Sequence, residues 1–533
     1  MADSRPAGTW RWAGAVGGLV LAAASWGSGA LPRPNTGVLW PGVAWWTTKG
    51  GSPLLATVST LAMALLVLAW WRLRDTEVSV RWWWLTIALW FAPLVAAMPL
   101  YSRDLYSYAA QGLLWDQGLS PYDHVVRELD SPWRASTAPT WLDSPTPYGP
   151  VWLLLARAVA SVSGELWVAL LLLRLLAVVG VVVMAWAVPD VARRIGWSPV
   201  RALWLGVAVP LVGAHFVGGA HNDALMVGAV LGGLALALRG RFVVACVVIA
   251  LGAMVKITAV IALPFVVILW ARHRAAARPS PMSGTGGTAY ARWGDVVRAG
   301  ALTVACAGVP LALGGVVTGL GFSWLNPTGT PGKNEQWTSL PTAVGVAVGA
   351  VGHLLGHDEW RDIGVDTARA VALVVLALLL PLVWLAALKP ADTGGLTGEA
   401  AATEPRLRPV RGIAWAMLAV VVLAPVFLGW YYLWVLPLFA VSLGALWQER
   451  LERPLAVVAS IACFATLPEG YSLGLTTTAV GVPIALVVLV LLLRRGLRTA
   501  RRTDWRHLLD LDRPLVRRGS TAPAAPARSA RSR

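Results

Sequence analysis

Apolar runs dominate this chain, and they recur too often for a water-soluble core. They lie near 11–31, 53–72, 81–100, 166–188, 202–219, 224–238, 300–320, 367–388, 412–428, 431–447, 455–470 and 476–494. A helix that crosses about 30 Å of hydrocarbon needs about 20 such residues. A further run, 242–270, sits between Arg239/Arg241 and Arg272/Arg274/Arg278. Basic loops collect on one side of a membrane, so both its ends belong on one side. It reads as a hairpin of two crossings broken at GAMVKIT, with Lys256 in the break. Charged residues make up 13% of the chain, against about 25% in soluble proteins. The fold class expected is an all-α polytopic membrane protein of about fourteen transmembrane helices, with juxtamembrane helices in its outer loops.

The formal charge of +17 follows from membrane topology, and no nucleic-acid partner is implied. Arg72, Arg74 and Arg81 surround the loop between the second and third runs, which places that loop in the cytoplasm. The chain is then a multi-pass plasma-membrane protein with both termini cytoplasmic. The loop 101–150 and a second large loop, 321–366, face outward. Residues 271–298 form a cytoplasmic loop. Residues 1–495 read as one transmembrane domain. The tail 496–533 is rich in Arg, Pro and Ala and reads as disordered, with a charge that suits anionic lipid. Cys246, Cys306 and Cys463 all fall inside apolar runs and read as core residues.

The 101–150 interval carries six carboxylates, Asp104, Asp116, Asp123, Glu128, Asp130 and Asp143, interleaved with aromatic residues. Asp104 follows the end of an apolar run and stands beside Arg103, which would keep it ionised. An inverting sugar transfer needs one base for the acceptor hydroxyl, and Asp104 is the candidate. The competing reading is an Asp–Arg pair that only marks a helix end. Tyr106, Tyr108 and Tyr148 offer ring faces to a sugar, or else anchor the interface. After PYGP, the short run 151–162 is a juxtamembrane or re-entrant helix opened by Pro150. Ionisable groups inside apolar runs are costly and face a bundle interior. Arg174, Lys256 and, with Arg103, the membrane-edge cations are candidates for a lipid phosphate. His221, Asn222 and Asp223, in GGAHNDALM, are candidates for sugar or acceptor contacts. The alternative is internal pairing of Lys256 or Arg174 with Asp223.

No cofactor is expected, although a carboxylate-bound divalent ion is left open. His353 and His357, in HLLGH, are four apart, a spacing that could share one helix face, but they lack the glutamate of a zinc-hydrolase helix and read as polar residues of a surface helix. Walker A and GxGxxG patterns are absent, and with no nucleotide-binding domain the expected donor is not a nucleotide sugar.

YSRDLYSYAAQGLLWDQGLSPYD, TPYGPVWLLLARAVA and GGAHNDALMVG resemble the GT-C glycosyltransferases that use polyprenyl-phosphate sugars. More narrowly, the chain from about 10 to 495 is similar to the actinobacterial polyprenol-phosphomannose-dependent alpha-1,6-mannosyltransferases, the B-type enzymes of lipomannan synthesis above all. That resemblance implies a GT-C-type helical bundle and an inverting enzyme. Its donor would be polyprenyl-phosphate-mannose, and its acceptor a mannosylated phosphatidylinositol-type glycolipid. The family's loop aspartate base falls, by position, on Asp104. Two further readings stand beside it. One is a related transferase of another sugar, such as arabinose. The other is a lipid-linked sugar transporter or flippase, which would show inverted repeats and a midplane site; no matched halves are visible.

Overall fold

A computed structural model describes residues 5–33, 53–278, 291–325, 335–389 and 399–502, and these are almost entirely helices and their connections. The first part runs through α1 (Arg5–Ser28), α2 (Pro53–Arg72), α3 (Val80–Val95), α4 (Asp104–Asp116), α5 (Pro139–Leu142), α6 (Pro150–Val162) and α7 (Leu166–Arg194). It continues through α8 (Pro199–Gly206), α9 (Pro210–Val212), α10 (Asp223–Leu238), α11 (Phe242–Ala253) and α12 (Leu263–Ala276). The C-terminal part adds α13 (Trp293–Val317), α14 (Leu340–Leu354), α15 (Trp360–Leu388), α16 (Glu399–Leu423), α17 (Tyr432–Ser442), α18 (Gly444–Ala462), α19 (Leu473–Thr476) and α20 (Thr478–Arg502).

Local chemistry starts many of these helices. Ser79, Ser198 and Ser339 each accept a first-turn backbone N–H, opening α3, α8 and α14. Pro150 opens α6, where a missing N–H costs nothing. Packing does the rest. The α1–α2–α3 group, α7 against α10, α10 against α11, and α16 between α15 and α17 share one apolar core. Trp70 and Trp204 are stacked 4.7 Å apart within it. Each indole N–H donates to the other residue's carbonyl, at 2.7 and 2.8 Å, so two large buried donors are satisfied reciprocally.

The all-α membrane architecture is the observed one. Among the described residues six helices are long and apolar enough to cross a membrane, or seven if the bent pair Pro199–Gly206 and Pro210–Gly218 is one crossing. Six shorter apolar helices accompany them. The run 202–219 is therefore not the straight span expected from its hydropathy. It bends by 48° at Val207–Val209, just before Pro210, whose ring and missing N–H interrupt a helix. The polar stretch 389–411, expected as a linker, is already helical from Glu399. The spans expected at 431–447 and 455–470 are instead α17 and α18, with α18 running through QERLERP to end at Ala462. The tail beyond 502, the centre of the 271–298 loop and residues 326–334 lie outside the described residues.

The hairpin at 242–276 is present. Helix α11 ends at Ala253, Lys256 is extended (φ −148°, ψ 122°), and a 3₁₀ turn, Ile257–Ala262, leads into α12. Phe242 at its start stacks on Trp270 near its end, 5.2 Å apart with planes 6° from parallel, and also meets His273. The two ends therefore share a side. The PYGP segment docks on the hairpin tip, with the Gly149 and Val151 N–H groups donating to the Val255 and Met254 carbonyls. A Cβ on Gly149 would stand 2.3 Å from the Met254 oxygen, so only glycine allows this approach.

Two ends of the bundle differ chemically. At one, Glu452 is buried between Arg74 and Arg201, at 2.8 and 2.7 Å, and Asp190 pairs with Arg239 at 2.9 Å. At the other lie α4, α6, the hairpin tip and the aromatic residues described below. The hairpin makes a concrete prediction. With the three native cysteines replaced, Arg241→Cys and Ala277→Cys should react with an impermeant thiol reagent from the same face of sealed vesicles. Labelling from opposite faces would rule the hairpin out.

Candidate active site

Asp104 is the first residue of α4, and its backbone N–H donates to Ser102 Oγ at 3.0 Å. A carboxylate in a helix's first turn faces free N–H groups and the positive end of the helix dipole. The side chain is largely buried. Its Oδ1 accepts from the Trp141 indole at 2.8 Å, and its Oδ2 lies 3.5 Å from His221 Nδ1. Burial favours the neutral acid, but His221, Trp141 and the charge of Lys256 together outweigh it and hold the carboxyl below its usual range. Asp104 is thus ionised, as expected, but not by the expected partner. Arg103 points its guanidinium elsewhere, donating to the Ser136 and Leu31 carbonyls at 3.0 and 2.9 Å.

Two turns deliver these groups. Tyr101 and Ala220 both sit at positive φ, 61° and 51°, a conformation that costs a non-glycine residue about 1–2 kcal/mol. Such residues persist where the surrounding structure over-determines them, and they cluster at functional sites. A π-helical stretch, Gly213–Gly218, leads into the second turn. His221 has no exposed surface and stacks on Trp430, 3.9 Å between ring centroids, with His215 5.7 Å away.

Two residues further along, Asp223 opens α10. Its Oδ1 accepts from Lys256 Nζ at 2.7 Å and from the Trp434 indole at 2.6 Å. The ammonium also stands 4.7 Å from the ring centroids of Tyr431 and Trp434 and 5.9 Å from Tyr148, within cation–π range. Asn222 Oδ1 lies 3.5 Å from the Tyr108 hydroxyl, and Tyr108 packs edge-on to Tyr148. Tyr106 donates to the Ala30 carbonyl at 2.7 Å, tying the loop to α1.

A cavity of about 770 Å³ opens beside Asp104. Arg103, Asp104, Trp141, Trp430, Glu469 and Arg33 are among its lining residues. Lys256, Arg174, Tyr106, Tyr108, Tyr148, His221, Asn222 and Asp223 are not. The tyrosines expected to face a sugar are buried outside the lining of this cavity. The cavity residues that sequence reasoning passed over come both from the first part of the chain and from its far end, Leu428, Trp430, Glu469 and Tyr471 among the latter. Their signals were the aromatic run GWYYLW and the short polar PEGYS between apolar runs. Arg174 is buried, and its donors meet backbone carbonyls of Val95, Ala97 and Gly218.

The histidines of HLLGH do not share a helix face. Helix α14 ends at Leu354, Gly356 turns at φ +83°, and His353 and His357 pair separately with Asp358 and Glu359. Among the described residues no three His, Cys, Asp or Glu side chains converge as metal ligands.

The Lys256–Asp223 pair gives a stability prediction. Removing one partner strands a buried charge, typically at about 3–5 kcal/mol, whereas replacing both by apolar groups is often near neutral. Lys256→Ala should lower the thermal midpoint of the purified protein markedly. Lys256→Met combined with Asp223→Leu should recover most of that loss. Equal midpoints for the wild type and Lys256→Ala would show the pair to be dispensable.

Residues 11–272 match a family described as alpha-(1->6)-mannopyranosyltransferase, N-terminal domain, and residues 341–494 match one described as MptB C-terminal domain. Alpha-(1->6)-mannopyranosyltransferase A of Mycobacterium tuberculosis is 31% identical, over 86% of this chain and 84% of the relative. A probable alpha-(1->6)-mannopyranosyltransferase of Mycolicibacterium smegmatis is 30% identical, over 92% and 88%. Alpha-(1->6)-mannopyranosyltransferase B of Corynebacterium glutamicum is 29% identical, over 88% and 78%. No solved structure matches. With its matched segments spanning both the Asp104 turn and the aromatic wall opposite, this chain belongs to the alpha-(1->6)-mannopyranosyltransferase family.

Proposed function

We propose that this protein transfers mannose from a β-linked polyprenyl phosphate to a hydroxyl of a mannosylated glycolipid, building an α-1,6-mannan of the cell envelope. The observation that carries the reading is Asp104, a carboxylate on the wall of a cavity large enough for a sugar, beside the Trp141 indole and His221, backed by family membership. The acceptor 6-hydroxyl attacks the anomeric carbon, a C–O bond forms there, and the bond from that carbon to the phosphate oxygen breaks. The phosphate leaves with the electron pair. Asp104 takes the hydroxyl proton as the bond forms. Attack opposite the leaving group turns a β donor into an α product.

The remaining roles follow from placement. Arg103 is the cation on the cavity wall among the three first considered for the donor phosphate. Lys256 acts from behind through its charge on Asp104, because its ammonium is matched by Asp223. Trp141 and Trp430 are placed for a sugar's CH faces. The basic residues Arg74, Arg194, Arg201 and Arg239 gather at the opposite end, which supports an orientation with the cavity facing out of the cytoplasm.

Three measurements test this. With polyprenyl-phosphomannose and an α-1,6-mannoside acceptor, Asp104→Asn should lower kcat by about 10²–10⁴-fold while the protein stays folded; near-normal turnover would remove Asp104 as base. The acid limb of the kcat/KM profile should lie below the usual carboxylate range, because the ionised form is favoured in the folded enzyme. His221→Ala removes one group that favours ionisation and leaves burial less opposed, so the limb should move to higher pH. A limb that stays in place would separate His221 from Asp104. For orientation, Asp130→Cys should react with an impermeant reagent added to intact cells, and reaction only after lysis would invert the topology.

A further inference from the structure

Arg174 is a buried cation that the transfer chemistry does not use. It lies in the first half of α7, its residue is 1% exposed, and no carboxylate pairs with it in the structure described above. Its guanidinium instead meets three backbone carbonyls. Nη1 donates to Val95 at 2.9 Å and to Ala97 at 2.5 Å, and Nη2 donates to Gly218 at 3.1 Å. Val95 and Ala97 are at the end of α3, where unsatisfied carbonyls carry the negative end of the helix dipole. Gly218 ends the π-helical stretch.

These carbonyls belong to two different turns. The first runs from Val95 through Tyr101 to Asp104. The second runs from Gly218 through Ala220 to His221. The turns also touch directly, since the Leu100 N–H donates to Gly218 O at 3.2 Å. A Cβ on Gly219 would stand 2.9 Å from Leu100 O. Each turn holds one residue at positive φ, Tyr101 and Ala220, a cost that outside contacts must offset. A planar, forked guanidinium can bridge carbonyls of both turns at once, and an ammonium cannot do so with the same geometry.

We propose that Arg174 is a positioning residue. By clamping the two turns through their carbonyls it sets the separation of Asp104 from His221. The inference rests on Asp104 being the base. The other titratable groups facing Asp104 are His221, Lys256, Tyr108, Tyr148 and Tyr431, and Glu469 lines the same cavity.

The test uses the full-length enzyme in detergent, with Arg174→Met, Arg174→Lys, Asp104→Asn and the Asp104→Asn/Arg174→Met double variant. Rates are taken per folded molecule, by gel filtration and thermal unfolding. Loosening a catalytic group by an ångström costs on the order of 10²-fold in rate. Arg174→Met should therefore lose about that much kcat, with KM for polyprenyl-phosphomannose little changed and the acid limb moved to higher pH. Arg174→Lys should recover part of the loss, and it carries the test alone if Arg174→Met does not fold. The double variant should be no slower than Asp104→Asn, because a clamp has nothing left to position. Unchanged kcat and acid limb in folded Arg174 variants would leave only a structural role and overturn the proposal. A raised donor KM with kcat kept would make Arg174 a phosphate ligand and also overturn it. A double variant as slow as the product of the two single losses would do the same. If Asp104→Asn alone keeps its turnover, the base assignment itself has failed, and that result is seen independently of any Arg174 variant.

Discussion

Contact between two backbone turns organises the end of the bundle that carries Asp104. The Leu100 N–H meets the Gly218 carbonyl at 3.2 Å, and Arg174 grips carbonyls on both sides of that contact. From one turn the chain enters α4 at Asp104; from the other it enters α10 at Asp223, by way of His221 and Asn222. The two turns bring the Asp104 carboxylate to 3.5 Å from the His221 imidazole, with Asp223 two residues beyond His221 in the chain. The left-handed residues Tyr101 and Ala220 are tolerable only because the turns leave them no alternative.

Charge is then distributed by depth. Asp104 lies at the cavity wall and is held ionised by an indole N–H, an imidazole and a more distant ammonium. Asp223 lies behind it and is neutralised by Lys256 within an aromatic box. The second pair lets a positive charge act on the first carboxylate without competing for the cavity. A lone lysine at that depth would be expensive, and pairing with Asp223 at 2.7 Å offsets part of that cost. Arg103 is tied to two carbonyls and still lines the cavity.

Several sequence readings failed for reasons that particular residues make clear. Adjacency implied that Arg103 partners Asp104, but residues one apart on a helix do not face each other, and Arg103 turns to Leu31 and Ser136. HLLGH suggested two histidines one turn apart, but Gly356 ends the helix between them. Hydropathy averaged over 202–219 concealed the bend before Pro210.

What the amino-acid order determined alone is whatever depends on short windows: apolar length, helix starts at serine and proline, the basic loops, and the hairpin that two flanking arginine clusters demanded. It also singled out Asp104, Lys256 and Asp223, because an ionisable residue next to or inside an apolar run must be paired or used. Tertiary structure alone decided the pairings. His221 is more than a hundred residues from Asp104 along the chain, and Trp430 and Trp434 are farther still, so nothing local encodes their meeting. Side-chain partners in a bundle are chosen by which helix ends share a depth and a face, and those are set only once every helix has found its neighbours.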